Sequence, residues 1–144
     1  MSDYESKQVA GWGFALAFGI VFVGSALALL YAEPGLREGV IAGLFLIGLL
    51  ISNFAILTVR VTDTEVRWRF AKVFGRRVRL KDVNGAEVRR SPWFYGWGLR
   101  WTPQGWLWRS TGLDGVWLQL ANGKQVGMGS SDPEALARAV RERL

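Results

Sequence analysis

Five basic side chains occupy alternate positions in two short segments, and they are the residues in this sequence best suited to binding an anion. Successive side chains of a strand point to opposite faces, so alternate positions share one face. We expect this face to contact anionic lipid, where each cation contributes about 1 kcal/mol. The alternatives are a solvated face, or a charge bias that only orients a membrane anchor. The five residues are Arg67, Arg69, Arg77, Arg79 and Lys81.

A second group of candidate binding residues is aromatic. The segment PWFYGWG at 92–98 contains four aromatic residues, and its proline and glycines predict a loop or strand corner. Aromatic side chains favour membrane interfaces and protein interfaces, although in a small domain they also fill the core. Trp117 alternates outward with Gln119, so we expect something to cover it. The predicted interface aromatics are Trp93, Phe94, Tyr95, Trp97 and Trp117.

The composition argues against catalysis. The sequence contains no Cys and no His, which excludes disulfides, thiol chemistry, Cys/His zinc sites and histidine acid–base catalysis. The carboxylates and serines show no spacing typical of acid–base, metal or nucleophilic chemistry. We therefore expect a protein without enzymatic activity, cofactor or metal site. The net charge of +6 comes with no nucleic-acid recognition motif, so nucleic acid is not an expected partner.

Two long apolar segments precede the basic residues and predict a membrane anchor. A helix of about 20 apolar residues crosses a bilayer, and both segments are long enough. We expect a transmembrane helical hairpin at 9–59, with helices at about 9–31 and 39–59, after a polar tail at 1–8. A cleaved signal peptide would begin with several basic residues and have a shorter apolar run, but here the first eight residues contain only one lysine and the apolar run is longer. A buried pair of helices in a soluble protein is the other alternative, but helices of soluble proteins usually show a polar face and these segments show none.

Aromatic and small residues mark positions within the predicted hairpin. Trp12 and Tyr31 are placed to anchor the first helix at opposite membrane interfaces. Small residues four apart let helices approach closely, so they are expected to pack the hairpin, or alternatively to dock another membrane subunit. These residues are Ala15, Gly19, Gly24, Ala28, Gly39 and Gly43. Asn53 is expected to hydrogen-bond across the hairpin or to a partner.

The basic residues also predict the orientation of the anchor. All but two of the 18 Lys and Arg residues follow Val59. Because cytoplasmic segments carry an excess of Lys and Arg, the C-terminal part is expected in the cytoplasm. Two crossings then place the N-terminus there too. The predicted location is integral to the inner (cytoplasmic) membrane.

Residues 60–144 show the alternation of β-strands. Val66, Trp68 and Phe70 share one face, and Asn122-Gly123 is typical of a two-residue hairpin turn. We expect about seven strands in an antiparallel sandwich or barrel. Ser131-Asp132-Pro133-Glu134 predicts the start of a helix that runs to Leu144 and caps the sheet. The predicted class is therefore a membrane-anchored α+β protein.

Several segments of this region resemble the bacterial pleckstrin-homology-like (PH-like) domain, over roughly residues 58–144. They are Tyr95-Gly96-Trp97-Gly98-Leu99-Arg100, Gly105-Trp106, Gly112-Leu113-Asp114-Gly115-Val116, Asn122-Gly123 and Asp132-Pro133-Glu134-Ala135-Leu136. The resemblance implies a bent antiparallel sandwich capped by one helix, and proteins of this kind often carry a short transmembrane hairpin ahead of the domain. It implies no catalytic residues.

Pleckstrin-homology folds host lipid binding, peptide binding and scaffolding alike, so the fold alone does not select a function. Together with the charge pattern, we expect a non-enzymatic, membrane-anchored binding or scaffold module. Its cytoplasmic domain would contact anionic lipid, a membrane protein partner or a second copy of the chain. The alternative is an accessory or assembly subunit of a larger membrane complex, without a ligand of its own.

Overall fold

The chain forms a helical hairpin that is inserted between the first two strands of a β domain. The structure is a computed structural model, and it describes residues 2–9, 11–71, 74–96 and 98–144, with only the backbone at Trp12. Strand β1 (Tyr4–Val9) is followed by helices α1 (Trp12–Tyr31) and α2 (Pro34–Ser52). The remaining elements are β2 (Ile56–Val61), β3 (Glu65–Phe70), β4 (Phe74–Arg79), β5 (Val83–Arg90), β6 (Gly98–Thr102), β7 (Gly105–Arg109), β8 (Asp114–Leu120), β9 (Gln125–Gly129) and α3 (Pro133–Arg141).

Both helices of the hairpin are long and apolar enough to cross a membrane. They contain 20 and 19 residues, which corresponds to about 30 Å at the helical rise of about 1.5 Å per residue. Only 6% of the apolar window in each helix is buried. A core helix of a soluble protein would be mostly buried, so the exposed apolar surface agrees with membrane association.

The second helix lies earlier in the chain than predicted. It begins at Pro34 and ends at Ser52, whereas the prediction was 39–59. Proline suits the first turn of a helix, because it lacks an N–H that would have no partner there. Residues from Ile56 onward form β2, in which Leu57, Val59 and Val61 alternate into the core. A continuous apolar run does not distinguish a helix end from a buried strand.

The N-terminal segment, predicted to be a polar tail, is a strand. β1 pairs antiparallel with β2 from Tyr4↔Val61 to Val9↔Ile56, so Val9 belongs to the sheet and α1 begins at Trp12. Ser6 Oγ lies 3.0 Å from Ser130 Oγ, which ties β1 to the segment before α3. Because β1 directly precedes the hairpin and β2 directly follows it, their pairing holds the two ends of the hairpin next to each other.

The two sheets differ in strand direction. The first sheet has the order β1-β2-β3-β4 and is antiparallel throughout. The second sheet has the order β5-β8-β9-β7-β6, and β9 pairs parallel to β7. The prediction of an entirely antiparallel domain is wrong at this pair, because β9 inserts between β8 and β7 after the Asn122-Gly123 turn. About seven strands are expected from the sequence within 60–144. In the described residues of this region, the seven strands β3 to β9 lie wholly within these bounds.

One hydrophobic core lies between the sheets. Trp68 and Phe70 of the first sheet pack with Trp108, Leu118 and Met128 of the second. Helix α3 closes this core with its apolar face, which contains Leu136, Ala137 and Val140. Asp132 Oδ1 accepts a hydrogen bond of 3.0 Å from the Ala135 N–H and caps the helix, which ends at Arg141 rather than at Leu144.

Candidate functional site

The outer surface of the first sheet brings together four of the five predicted basic residues. Arg67 stands opposite Arg77, Arg79 stands opposite Glu65, and Arg69 stands opposite Gly75. All four arginines are exposed. Lys81 does not belong to this surface, because β4 ends at Arg79 and a 3₁₀ turn at Leu80–Asp82 leads into the second sheet.

Two further cations, which the sequence pattern does not predict, belong to the same surface. Lys7 of β1 and Thr58 of β2 align with Arg69, while Arg60 of β2 aligns with Arg67. The sequence does not reveal the alternation that places Arg60, because residues 56–59 also continue the apolar run of the second predicted helix. We call the outer surface formed by these six cations the basic face: Lys7, Arg60, Arg67, Arg69, Arg77 and Arg79.

Two carboxylates offset part of this charge. Glu5 Oε2 lies 2.7 Å from Arg60 Nη2, and Glu5 Oε1 lies 3.2 Å from Lys7 Nζ. These hydrogen bonds, from Arg60 first and then Lys7, hold the pKa of the Glu5 carboxyl below its ordinary value. Glu65 contacts Arg67 and lies 3.9 Å from Arg77 Nη1. Six cations against two carboxylates leave the basic face strongly positive.

The basic face begins beside the point where the hairpin joins the β domain. Phe54, just after α2, stacks on Phe74 at 5.9 Å and meets Phe70 edge-on at 5.1 Å. Arg69 is the next residue to Phe70 along β3. At about 3.3 Å per residue, Arg67 lies about 7 Å further along this strand. The cations are thus arranged in rows at increasing distance from the hairpin.

The predicted aromatic loop lies next to the start of α1. Residues Trp93–Tyr95 form a 3₁₀ turn in which Trp93 is 77% exposed and Phe94 is 67% exposed. These two rings and Phe14 of α1 line a common groove of about 600 Å³. Tyr95 is half-buried, and its hydroxyl lies 3.3 Å from Gln104 Oε1. The prediction for Trp97 lies outside the described residues.

A buried arginine that the sequence did not single out holds this loop. Arg109, at the end of β7, is 1% exposed. It donates from Nε (3.0 Å) and Nη2 (2.6 Å) to the Gly96 carbonyl. Burial lowers the pKa of its guanidinium, and its Nη1 has no hydrogen-bond partner among the described residues. Arg109 therefore ties the aromatic loop to the sheet, and its position in a strand gave no sign of this role.

Trp117 is covered, as expected, but by its own chain. It is 1% exposed and lies on the outer surface of the second sheet. Its ring lies over Gly127, where an added Cβ would come within 2.7 Å of the indole, and Leu107 lies on the same side. The Arg89 guanidinium carbon is 5.7 Å from its ring centroid. Trp117 is therefore not an accessible interface residue.

The predicted small residues of the hairpin divide into two groups. Gly24 faces Leu44, which lies 3.3 Å from the position of an added Cβ, and Ala28 is buried. Gly48, which was not predicted, faces Val21 and Phe18. The other predicted residues are exposed: Ala15, Gly19, Gly39 and Gly43. Only part of the predicted set therefore packs the hairpin.

Asn53, Tyr31 and Trp12 are the remaining polar and aromatic residues predicted to have a role in the hairpin. Asn53 Nδ2 donates to the Leu49 carbonyl of its own helix at 2.8 Å, so it does not bridge the hairpin. Tyr31 ends α1 and is 82% exposed, a position that an interfacial anchor requires. Trp12 begins α1, and its side chain lies outside the described part of the chain.

Comparison with known proteins adds no assignment: neither a protein-family model nor a curated protein matches this chain. Within the residues that the structure describes, no three acidic side chains form a group suited to a metal ion.

Proposed function

We propose that this chain is a membrane-anchored, non-enzymatic binding module. In this proposal α1 and α2 cross the inner membrane, and the β domain is a cytoplasmic PH-like domain whose basic face contacts anionic lipid. The observation that carries the proposal is the position of the basic face beside the end of the hairpin.

The energetics favour lipid contact. Each Lys or Arg near an anionic membrane surface contributes about 1 kcal/mol, and the attraction fades over a Debye length of about 8 Å at physiological salt. Arg69 and Lys7 form the row nearest the hairpin, so they should contribute most. The exposed Trp93 and Phe94, beside the first turn of α1, would add contact with the membrane interface.

The cytoplasmic orientation is supported by the distribution of charge. Nearly all Lys and Arg residues belong to the β domain, which the positive-inside tendency keeps in the cytoplasm. The pairing of β1 with β2 requires that the segments before and after the hairpin lie on the same side. A hairpin that crosses twice satisfies both conditions.

Fluorescence quenching can test lipid contact in the full chain. A fluorophore on Thr58→Cys would be the only thiol label, because the sequence has no other cysteine. The protein is reconstituted in lipid discs whose headgroups carry a quencher. We expect stronger quenching in discs containing phosphatidylglycerol than in phosphatidylcholine alone, and a loss of the difference at high salt.

Two variants that each lose four positive charges, but at different places, test whether the location of the cations matters or only the net charge of the protein. Replacing Arg67, Arg69, Arg77 and Arg79 with Gln removes four of the six cations and should strongly reduce the response to phosphatidylglycerol. Replacing four exposed cations elsewhere with Gln should leave it largely intact: Lys81, Arg90, Lys124 and Arg138. Equal responses of the two variants would contradict a specific role for the basic face.

An accessory subunit is the second candidate, and one exposed aromatic pair favours it. Trp101 (68% exposed) and Trp106 (39% exposed) pack edge-to-face at 5.2 Å between β6 and β7, away from the core. Exposed Trp side chains are common binding hot spots. Purification in mild detergent distinguishes the candidates, because a subunit should bring a stoichiometric protein partner that Trp101→Ser releases.

A further inference from the structure

We infer that a groove between the hairpin and β6 seats one anionic phospholipid, with an acyl chain in the groove and the phosphate beside Arg100. We call it the junction groove. This inference rests on the proposed membrane anchoring, but it concerns a different surface from the basic face.

The junction groove has the size and lining of a small-molecule site. Its volume is about 580 Å³, within the range of roughly 300–1,000 Å³ that is typical of ligand pockets. Apolar side chains from three parts of the chain line it: Phe14 and Ala17 of α1, Leu50 and Ile51 of α2, and Phe54 and Leu99 beyond the hairpin.

Glycines keep the junction groove open on the side of the β domain. Gly96 and Gly98 line it with positive φ angles of 70° and 86°, which favour glycine. A Cβ on Gly98 would lie 3.6 Å from the Phe54 ring, and one on Gly96 would lie 3.6 Å from Arg100 Nε. A side chain at either position would therefore narrow the groove.

The lining selects an amphipathic anion as the occupant. The apolar walls continue the exposed apolar surfaces of α1 and α2, which are the surfaces that lipid chains would cover. Arg100 supplies a guanidinium at the β-domain side, where a phosphate would form charge-assisted hydrogen bonds. The first turn of α1 faces the same groove and contains no acidic residue, so the helix dipole acts in the same direction.

Native mass spectrometry of the full chain from the membrane fraction tests the inference. We expect one phospholipid to remain bound, and phosphatidylglycerol to bind better than phosphatidylcholine when the two are added. Ala17→Phe should fill the groove and abolish the bound lipid. Ala15→Phe is the matched control, because Ala15 is exposed on another face of the same helix and does not line the groove.

The cation is tested separately. Arg100→Gln should retain lipid but reduce the preference for phosphatidylglycerol by about tenfold, the value of one charge-assisted hydrogen bond. Arg138→Gln on α3 should leave the preference unchanged. In the unaltered chain, a photoactivatable phosphatidylglycerol should crosslink to residues 13–17 and 98–100, which does not depend on how any variant folds.

The outcomes distinguish this inference from the proposed function. Wild-type protein without bound lipid, equal lipid on Ala17→Phe and Ala15→Phe, or crosslinks elsewhere would overturn the junction site and leave the basic face standing. Absence of the chain from the membrane fraction would instead overturn the anchoring on which both depend.

Discussion

Arg109 is a charged residue in an unusual environment, because it is buried and has no carboxylate partner among the described ion pairs. Its forked guanidinium reaches two backbone carbonyls of the aromatic loop, those of Gly96 and, at 3.5 Å, Pro92. Backbone carbonyls carry partial negative charge and partly replace the water that the cation loses. The loop that displays Trp93 and Phe94 is therefore positioned from beneath by one side chain.

Arg109→Lys should loosen this loop while keeping the charge. A lysine ammonium does not reproduce the fork of Nε and Nη2, so we expect a loss of about 1–3 kcal/mol of unfolding free energy. Hydrogen exchange at Tyr95 and Gly96 should also accelerate. Both are measured on the full chain in detergent.

Arg90→Lys is the matched control for this change. Arg90 is exposed, and its Nη1 lies 3.7 Å from Asp114 Oδ1 in a surface ion pair. The substitution should therefore change the free energy of unfolding by less than about 0.5 kcal/mol. If the two variants unfold alike and exchange at the loop is unchanged, Arg109 does not position it.

Strand β1 shows how an element of six residues joins two parts of the domain. It forms the edge of the first sheet, and the buried Gln8 side chain reaches the segment that follows β7 of the second sheet. Gln8 Oε1 accepts from the Ser110 N–H at 2.9 Å, and Nε2 donates to the Thr111 carbonyl. A fragment that begins at residue 60 would lack β1 and most of β2, so liposome experiments require the full chain.

Gln8→Ala should destabilise the domain by about 1–3 kcal/mol, because the buried Ser110 N–H would lose its partner. Lys7→Ala is the control, since Lys7 is the exposed neighbour on the same strand and its surface ion pair with Glu5 contributes little. Thermal unfolding followed by tryptophan fluorescence measures both. A Gln8→Ala variant as stable as Lys7→Ala would show that β1 is not held through this amide.

The insertion of the hairpin between β1 and β2 constrains the whole molecule. In the proposed two-crossing topology, Ser2 and the β domain lie on the same side of the membrane in either orientation, because the strand after Ser2 pairs with β2. The proposed orientation is a separate matter and rests on the charge distribution, since Lys and Arg are in excess in cytoplasmic segments. Whether the two segments share one side, and which side that is, can be tested separately.

Single-cysteine variants provide that separation. In intact spheroplasts, a membrane-impermeant maleimide should label Gly35→Cys in the hairpin turn. Ser2→Cys and Asn122→Cys should react only after lysis. Opposite labelling of Ser2→Cys and Asn122→Cys would contradict the pairing of β1 with β2. Labelling of both in intact cells, without Gly35→Cys, would reverse the proposed orientation.

Local patterns in the sequence were sufficient for much of the fold. Alternation over five or six residues predicted β3 and β4, because side-chain period and burial on one face are both local properties. Long charge-free runs predicted two apolar helices for the same reason. The four arginines of the basic face on β3 and β4 followed directly from that alternation.

Long-range pairing determined the features that the sequence did not reveal. β1 becomes a strand only because β2 lies beside it, and 46 residues of chain separate Val9 from Ile56. The end of α2 is set by the same pairing, since apolar residues suit either a helix or a buried strand. Trp117 of β8 is buried because Gly127 of the adjacent strand β9 and Leu107 of β7, one strand further on, lie beside its ring. These outcomes depend on which distant residues share a surface, and short-range periodicity carries no information about that.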